Sequence, residues 1–91
     1  MQGGDIIAFG NLEFPPIMAI FKGYWTNDIN DPGLIYNVCL HMGTVDYDNE
    51  FPCNSDNLRL ATEDEKQRLL MAISDDGKCW NADKKCIEKL S

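Results

Sequence analysis

Leu34-Ile35-Tyr36-Asn37-Val38-Cys39-Leu40-His41-Met42 is the clearest alternation in the chain. Leu34, Tyr36, Val38, Leu40 and Met42 fall on one face and Ile35, Asn37, Cys39 and His41 on the other, the period of about two that marks a strand. The first set is expected in a core. Upstream, Ile17-Met18-Ala19-Ile20-Phe21-Lys22-Gly23-Tyr24-Trp25 is apolar on both alternating faces, as in a central strand covered on both sides, with Gly23 marking a bulge or bend. Between the two, Thr26 to Gly33 concentrates turn chemistry in Asn27, Asp28, Asn30, Asp31, Pro32 and Gly33. Downstream, Gly43 interrupts, and Val45 and Tyr47 then alternate with Thr44, Asp46, Asp48 and Glu50. That is the pattern of an edge or hairpin strand with an acidic face in water.

Further outward, Asp5-Ile6-Ile7-Ala8-Phe9 after Gly3-Gly4 reads as a first strand, and Asn11 to Pro16 as a loop. Phe51 to Asn57 reads as another loop, and Leu58-Arg59-Leu60 as a last strand before a helix. That helix has a clear start, because Thr62 with Glu65 three residues on is a capping box, and Glu63 and Asp64 favour the positive end of the helix dipole. Leu69, Leu70 and Ile73, with the stem of Lys66, form its buried stripe, and Gly77 is its stop. Lys78-Cys79-Trp80 and Lys85-Cys86-Ile87 around Asn81-Ala82-Asp83-Lys84 read as a closing hairpin. A two-residue turn at Ala82 and Asp83 sets Cys79 opposite Cys86, where the pair forms a disulfide or, in a reducing cytosol, stays as thiols.

The predicted fold is mainly β (α+β): a small SH3-like barrel or bent antiparallel sheet with one C-terminal helix and a closing β-hairpin. A plain sheet with the helix across one face is the alternative. One domain covers residues 1–91, divided into a β-rich part to residue 61, a helix over 62–76 and the hairpin over 77–91. With 91 residues, 44% of them hydrophobic, there is enough apolar chain for one small core.

Charge narrows the partners. Residues 1–76 carry 13 acids against Lys22, Arg59, Lys66 and Arg68, while residues 77–91 carry four lysines against Asp83 and Glu88, for a net charge of −7. Nucleic-acid backbones and anionic membranes require clustered Lys and Arg, so neither is an expected partner. A protein partner with a basic surface suits the chain better. No apolar run reaches the roughly 20 residues of a membrane-spanning helix, and Met1-Gln2-Gly3-Gly4-Asp5 is unlike a signal peptide, so a soluble, cytoplasmic protein is expected.

The tail Leu60-Ala61-Thr62-Glu63-Asp64-Glu65-Lys66-Gln67-Arg68-Leu69, with Gly77, Trp80-Asn81, a lysine pair and Glu88-Lys89-Leu90, resembles the C-terminal signature of small uncharacterised proteins of gut Bacteroidetes and their phages. The resemblance covers about a third of the chain. It implies a cytosolic accessory protein in a phage or mobile-element setting, and it carries over no functional residue.

Catalytic chemistry has little to draw on. His41 is the sole histidine, and Cys39 two positions away is its one candidate thiol partner, with no identifiable third residue to orient them. No catalytic residue, metal or cofactor is assigned. Cysteines 39, 53, 79 and 86 contain no C-x-x-C spacing of the structural-zinc kind. Asp46-Tyr47-Asp48-Asn49-Glu50 resembles the opening of a calcium loop, but Phe51 stands where that loop needs glycine and Asn57 where it needs a bidentate acid. The candidate binding residues are Tyr24, Trp25, Asp46, Tyr47, Asp48 and Glu50, aromatics beside acid, with the three carboxylates expected on one strand face. The expected function is a non-enzymatic module that grips a protein partner. A small-molecule binder that sequesters a nucleotide signal is the alternative, with Lys22, Arg59 and the lysines of the tail as its only available cations.

Overall fold

The computed structural model describes residues 2–9, 16–24, 33–52 and 58–90. Its elements in chain order are β1 (Ile6–Phe9), β2 (Ile17–Tyr24), β3 (Gly33–His41), β4 (Thr44–Pro52), β5 (Arg59–Leu60), α1 (Glu63–Asp75), β6 (Lys78–Asn81) and β7 (Cys86–Lys89). The first five strands form one antiparallel sheet in the order β4-β3-β2-β1-β5, and β6 and β7 form a separate hairpin. β2, apolar on both faces, is the central strand as its composition requires. β4 and β5 are the two edges and do not pair with each other among the described residues, so the sheet is open. β4 extends through Phe51 and Pro52, which pair with Leu34 and Gly33, beyond the expected start of the loop.

Both faces of the sheet are buried. Ile7, Phe9, Ile17, Ala19, Phe21, Leu34, Tyr36 and Cys39 cluster on one. On the other, Ala8, Met18, Ile20 and Val38 meet Ala61 together with Leu69 and Ile73 of α1, and Trp80 and Ile87 of the hairpin pack at the margin. Full burial of Leu69 and Ile73 contributes about 1.5–3 kcal/mol for each side chain, which is what fixes the helix to the sheet. The helix start is as the sequence requires: Glu65 N–H donates to Thr62 Oγ1 at 3.2 Å, and Thr62 N–H donates to Glu65 Oε1 at 2.8 Å. Gly77, with φ +77°, follows the C-cap residue Asp76 and stops the helix.

The alternation expected along residues 34–42 breaks part-way. Val38 pairs with Ile20 and Tyr36 with Phe21, so Asn37 is an extra residue on β3. Gly23 then pairs with Ile35, so Lys22 is an extra residue on β2. These two bulges cancel in register, yet each switches its strand from one face to the other. Leu34 and Tyr36 therefore join Cys39 on the face away from the helix, while Val38 and Leu40 face the helix. Met42 leaves the strand altogether. It lies in the β3–β4 turn with φ 52°, next to Gly43 at φ 78°, and is 86% exposed rather than in the core. Two consecutive positive φ values give the turn whose twist matches a hairpin, and they point the Met42 side chain into solvent.

The closing hairpin also departs from expectation. Its turn spans residues 82–85, with Lys84 N–H donating to Asn81 Oδ1 at 3.0 Å and Lys85 at φ 53°. The longer turn sets Cys79 opposite Glu88 and Cys86 opposite Asn81, so the two thiols are diagonal neighbours rather than a facing pair, and both are free.

Candidate functional site

β4 carries the acidic run, and its conformation distributes those acids. Asp48 has φ 50° and lies across from the bulged Asn37, so the face switch of β3 continues into β4. Residues opposite one another in an antiparallel ladder share a face. Asp46 lies opposite Cys39 and Asn49 opposite Tyr36, which places both on the face away from the helix; Glu50 lies opposite Ile35, on the helix side. The three carboxylates Asp46, Asp48 and Glu50 are all exposed, but they do not form the single face that simple alternation predicts. The extra residue at Asn37 and the left-handed backbone at Asp48 are the reason.

Asp46 is held in place. The Tyr36 hydroxyl donates to its Oδ2 at 2.6 Å and the Asn49 amide at 3.2 Å. The tyrosine bond, followed by that of Asn49, holds the Asp46 carboxyl below its usual range, and burial with the same bond pushes the Tyr36 phenol upward. Cys39 beneath them is buried. Desolvation, reinforced by the Asp46 charge, pushes its thiol up to about 12, so it stays protonated at neutral pH and is no thiolate partner for His41.

A second constellation lies on the helix side. The Tyr47 hydroxyl donates to Asp76 Oδ2 at 2.6 Å, Lys78 Nζ donates to the same oxygen at 3.3 Å, and that ammonium sits 4.4 Å from the centre of the Tyr47 ring. Burial and the Asp76 bond raise Tyr47 to about 12, while the bonds from Tyr47 and Lys78 lower Asp76. The triad ties β4 to the end of α1. Beside it, Gly43, Val45, Ala72, Asp75 and Asp76 line an open groove of about 300 Å³ between the β3–β4 turn and the last turn of the helix. Met42 precedes the lining residue Gly43 in the chain, and Met71, 64% exposed, precedes Ala72 and stands one turn before Asp75 on the same helical ridge. The last turn of α1 has no basic residue, so Asp75 and Asp76 add to the negative end of the helix dipole.

Of the expected binding residues, the structure brings Tyr47 to this groove and leaves Asp46 on the opposite face. Tyr24 ends β2, paired with Leu34. Trp25 and Cys53 lie outside the described residues. The groove adds Asp75 and Asp76, with Lys78 bonded to Asp76 and the exposed Met42 and Met71 next in sequence to lining residues, none of which the sequence reading selected. A signal for the acids was present: Ser74-Asp75-Asp76 puts negative charge where the helix dipole disfavours it, a local conflict of the kind that marks functional sites.

Several cations are already committed. Arg59 makes a two-pronged bond to Glu65 at 2.6 and 2.7 Å, Lys66 pairs with Glu63 at 3.3 Å, and Lys78 pairs with Asp76. No group of three or more His, Cys, Asp or Glu side chains among the described residues is arranged to hold a metal ion, and no helix there is long and apolar enough to cross a membrane. In comparisons with known proteins, the chain matches no family model, no curated protein and no solved structure.

Proposed function

We propose that the protein is a non-enzymatic binding module for a protein partner with a basic surface. The observation that carries this reading is a set of uncommitted carboxylates. Asp48, Glu50 and Asp75 make no ion pair or side-chain hydrogen bond among the described residues, while Arg59, Lys66 and Lys78 are bonded to other carboxylates. These free carboxylates lie along an exposed edge strand and at the end of a helix, where a cationic surface would relieve their mutual repulsion. We further read the bent sheet as SH3-like, a class that grips peptides beside its loops, and the setting as the host cytosol of a phage or mobile element. The nucleotide-binding alternative has two of its cations, Arg59 and Lys78, spent on internal pairs, and keeps Lys22 and the other lysines of the tail.

The test begins with a partner isolated by pull-down and proceeds to its association kinetics. Lowering the salt should speed association with the wild type, and Asp48→Asn, Glu50→Gln and Asp75→Asn made together should slow it while the fold stays intact. Asp46 is left unchanged, since its carboxylate anchors Tyr36 and Asn49. An affinity of the triple variant equal to that of the wild type rejects the reading.

A further inference from the structure

We infer that the groove between the β3–β4 turn and the end of α1 receives an amphipathic segment of the partner, one that carries a Lys or Arg beside apolar side chains. The inference rests on the binding-module reading and specifies its contact. About 300 Å³ is at the small end of ligand sites, suited to an anchoring side chain rather than a whole helix. Asp75 supplies an uncommitted carboxylate at that wall, and the adjoining Asp76 and helix terminus keep the local potential negative.

The apolar half of the recognition comes from methionine. Met42 and Met71 are two of the four exposed large hydrophobic residues in the described chain, and each directly precedes a residue that lines the groove. Met42 is also a costly choice for its place, since a positive φ at the first position of such a turn favours Asn or Gly. Flexible, polarizable methionine side chains exposed next to lining residues adapt to varied apolar surfaces, which charge alone does not do. An oligolysine would satisfy the acids and leave the methionines in water; an amphipathic basic segment would cover both.

Fluorescence anisotropy with two labelled probes separates these cases: a short Leu/Lys peptide patterned as an amphipathic helix, and an oligolysine of equal charge. The wild type should bind the Leu/Lys peptide about tenfold more tightly. Met42→Asn with Met71→Gln should abolish that preference, and Asp75→Asn should weaken both probes by about fivefold, whereas Asp64→Asn, the same charge change at the far end of α1, should leave them within about twofold. Each substitution falls at an exposed position, and a thermal melt checks the fold. Equal binding of the two probes, or a preference that survives the methionine changes, overturns this inference and leaves the charge reading standing. Failure to bind either probe overturns both. Equal weakening by Asp64→Asn shows diffuse attraction and overturns the groove. A dimer of the chain that dissociates when the methionines are changed assigns the groove to a second copy and overturns it as well.

Discussion

The two ends of α1 obey opposite rules. At its start, Thr62, Glu65 and Arg59 satisfy one another: the cap is reciprocal, the guanidinium is bonded twice, and the acids sit where the dipole favours them. At its end, Asp75 and Asp76 oppose the dipole, and the neighbouring turn holds a methionine in a left-handed backbone. Consistency at the first end is what holds a helix to a sheet. At the second end Asp76 is relieved by Tyr47 and Lys78, while Asp75 and Met42 gain no such partner; under the proposed reading the first end serves stability and these two residues serve recognition.

The largest test asks whether the helix is anchored at all by what lies between its ends. Ile73→Ala should cost about 3 kcal/mol in urea unfolding, because a fully buried side chain is removed between the sheet and α1. A loss below about 1 kcal/mol would mean that the helix is held by its cap and not by its stripe.

Next in size is the ordered end. Glu65→Ala should cost about 2 kcal/mol at neutral pH, since it removes the Arg59 pair and half of the capping box together. The Arg59 bond, ahead of the Thr62 contacts, holds Glu65 at about 2 against an ordinary 4.5. A lowered carboxylate stabilises the fold above its unfolded value, and the contribution is lost as pH falls from about 4.5 toward 2. The variant should lack this part of the acid transition, and an unchanged acid midpoint would remove the network from the comparison.

The opposite sign is expected at the other end. Met42→Asn should raise stability by about 0.5–1 kcal/mol, because Asn tolerates the φ of 52° and Asn-Gly is the favoured pair for this turn. Together with weaker binding of the Leu/Lys peptide, such a gain would show stability traded for recognition at a single position. A destabilised Met42→Asn variant would mean that the methionine supports the fold, and the contrast between the two ends would collapse.

Legibility in the sequence follows the same division. The capping box, the glycine stop, the buried stripe and the central place of β2 depend on residues a few positions apart, and each was readable from spacing alone. The faces of β3 and β4 were not. Their parity depends on Asn37 and Lys22, two extra residues on different strands that cancel in register; Gly23 signalled the bulge on β2, but nothing in the alternation of β3 signalled the one at Asn37. The hairpin register was hidden for a similar reason, since a turn of two residues and one of four both suit Asn81-Ala82-Asp83-Lys84-Lys85, and the Asn81 contact to Lys84 decides between them. The groove was not read. Asp75 and Asp76 are acids at the wrong end of a helix, a signal that went unused, and their meeting with Gly43 and Val45 is a tertiary fact.

The smallest expected effect concerns the link that joins the two regions of β4 and α1. Tyr47→Phe keeps the ring under the Lys78 ammonium and removes only the hydroxyl bond to Asp76, so the loss at neutral pH should be about 0.5–1 kcal/mol. Alkaline pH makes the effect specific. Burial and the Asp76 bond raise Tyr47 from 10.0 to about 12, and a raised phenol stabilises the fold below its unfolded value and ceases to do so as pH climbs from about 10 toward 12. Wild-type stability should therefore fall across that interval more steeply than that of the Tyr47→Phe variant, with Tyr36 contributing an equal background to both. Parallel curves would mean that Asp76 does not receive the Tyr47 proton in solution. The Asp76 carboxylate would then keep Lys78 as its one partner beside the open charge of Asp75, and β4 would lose its tie to the end of the helix.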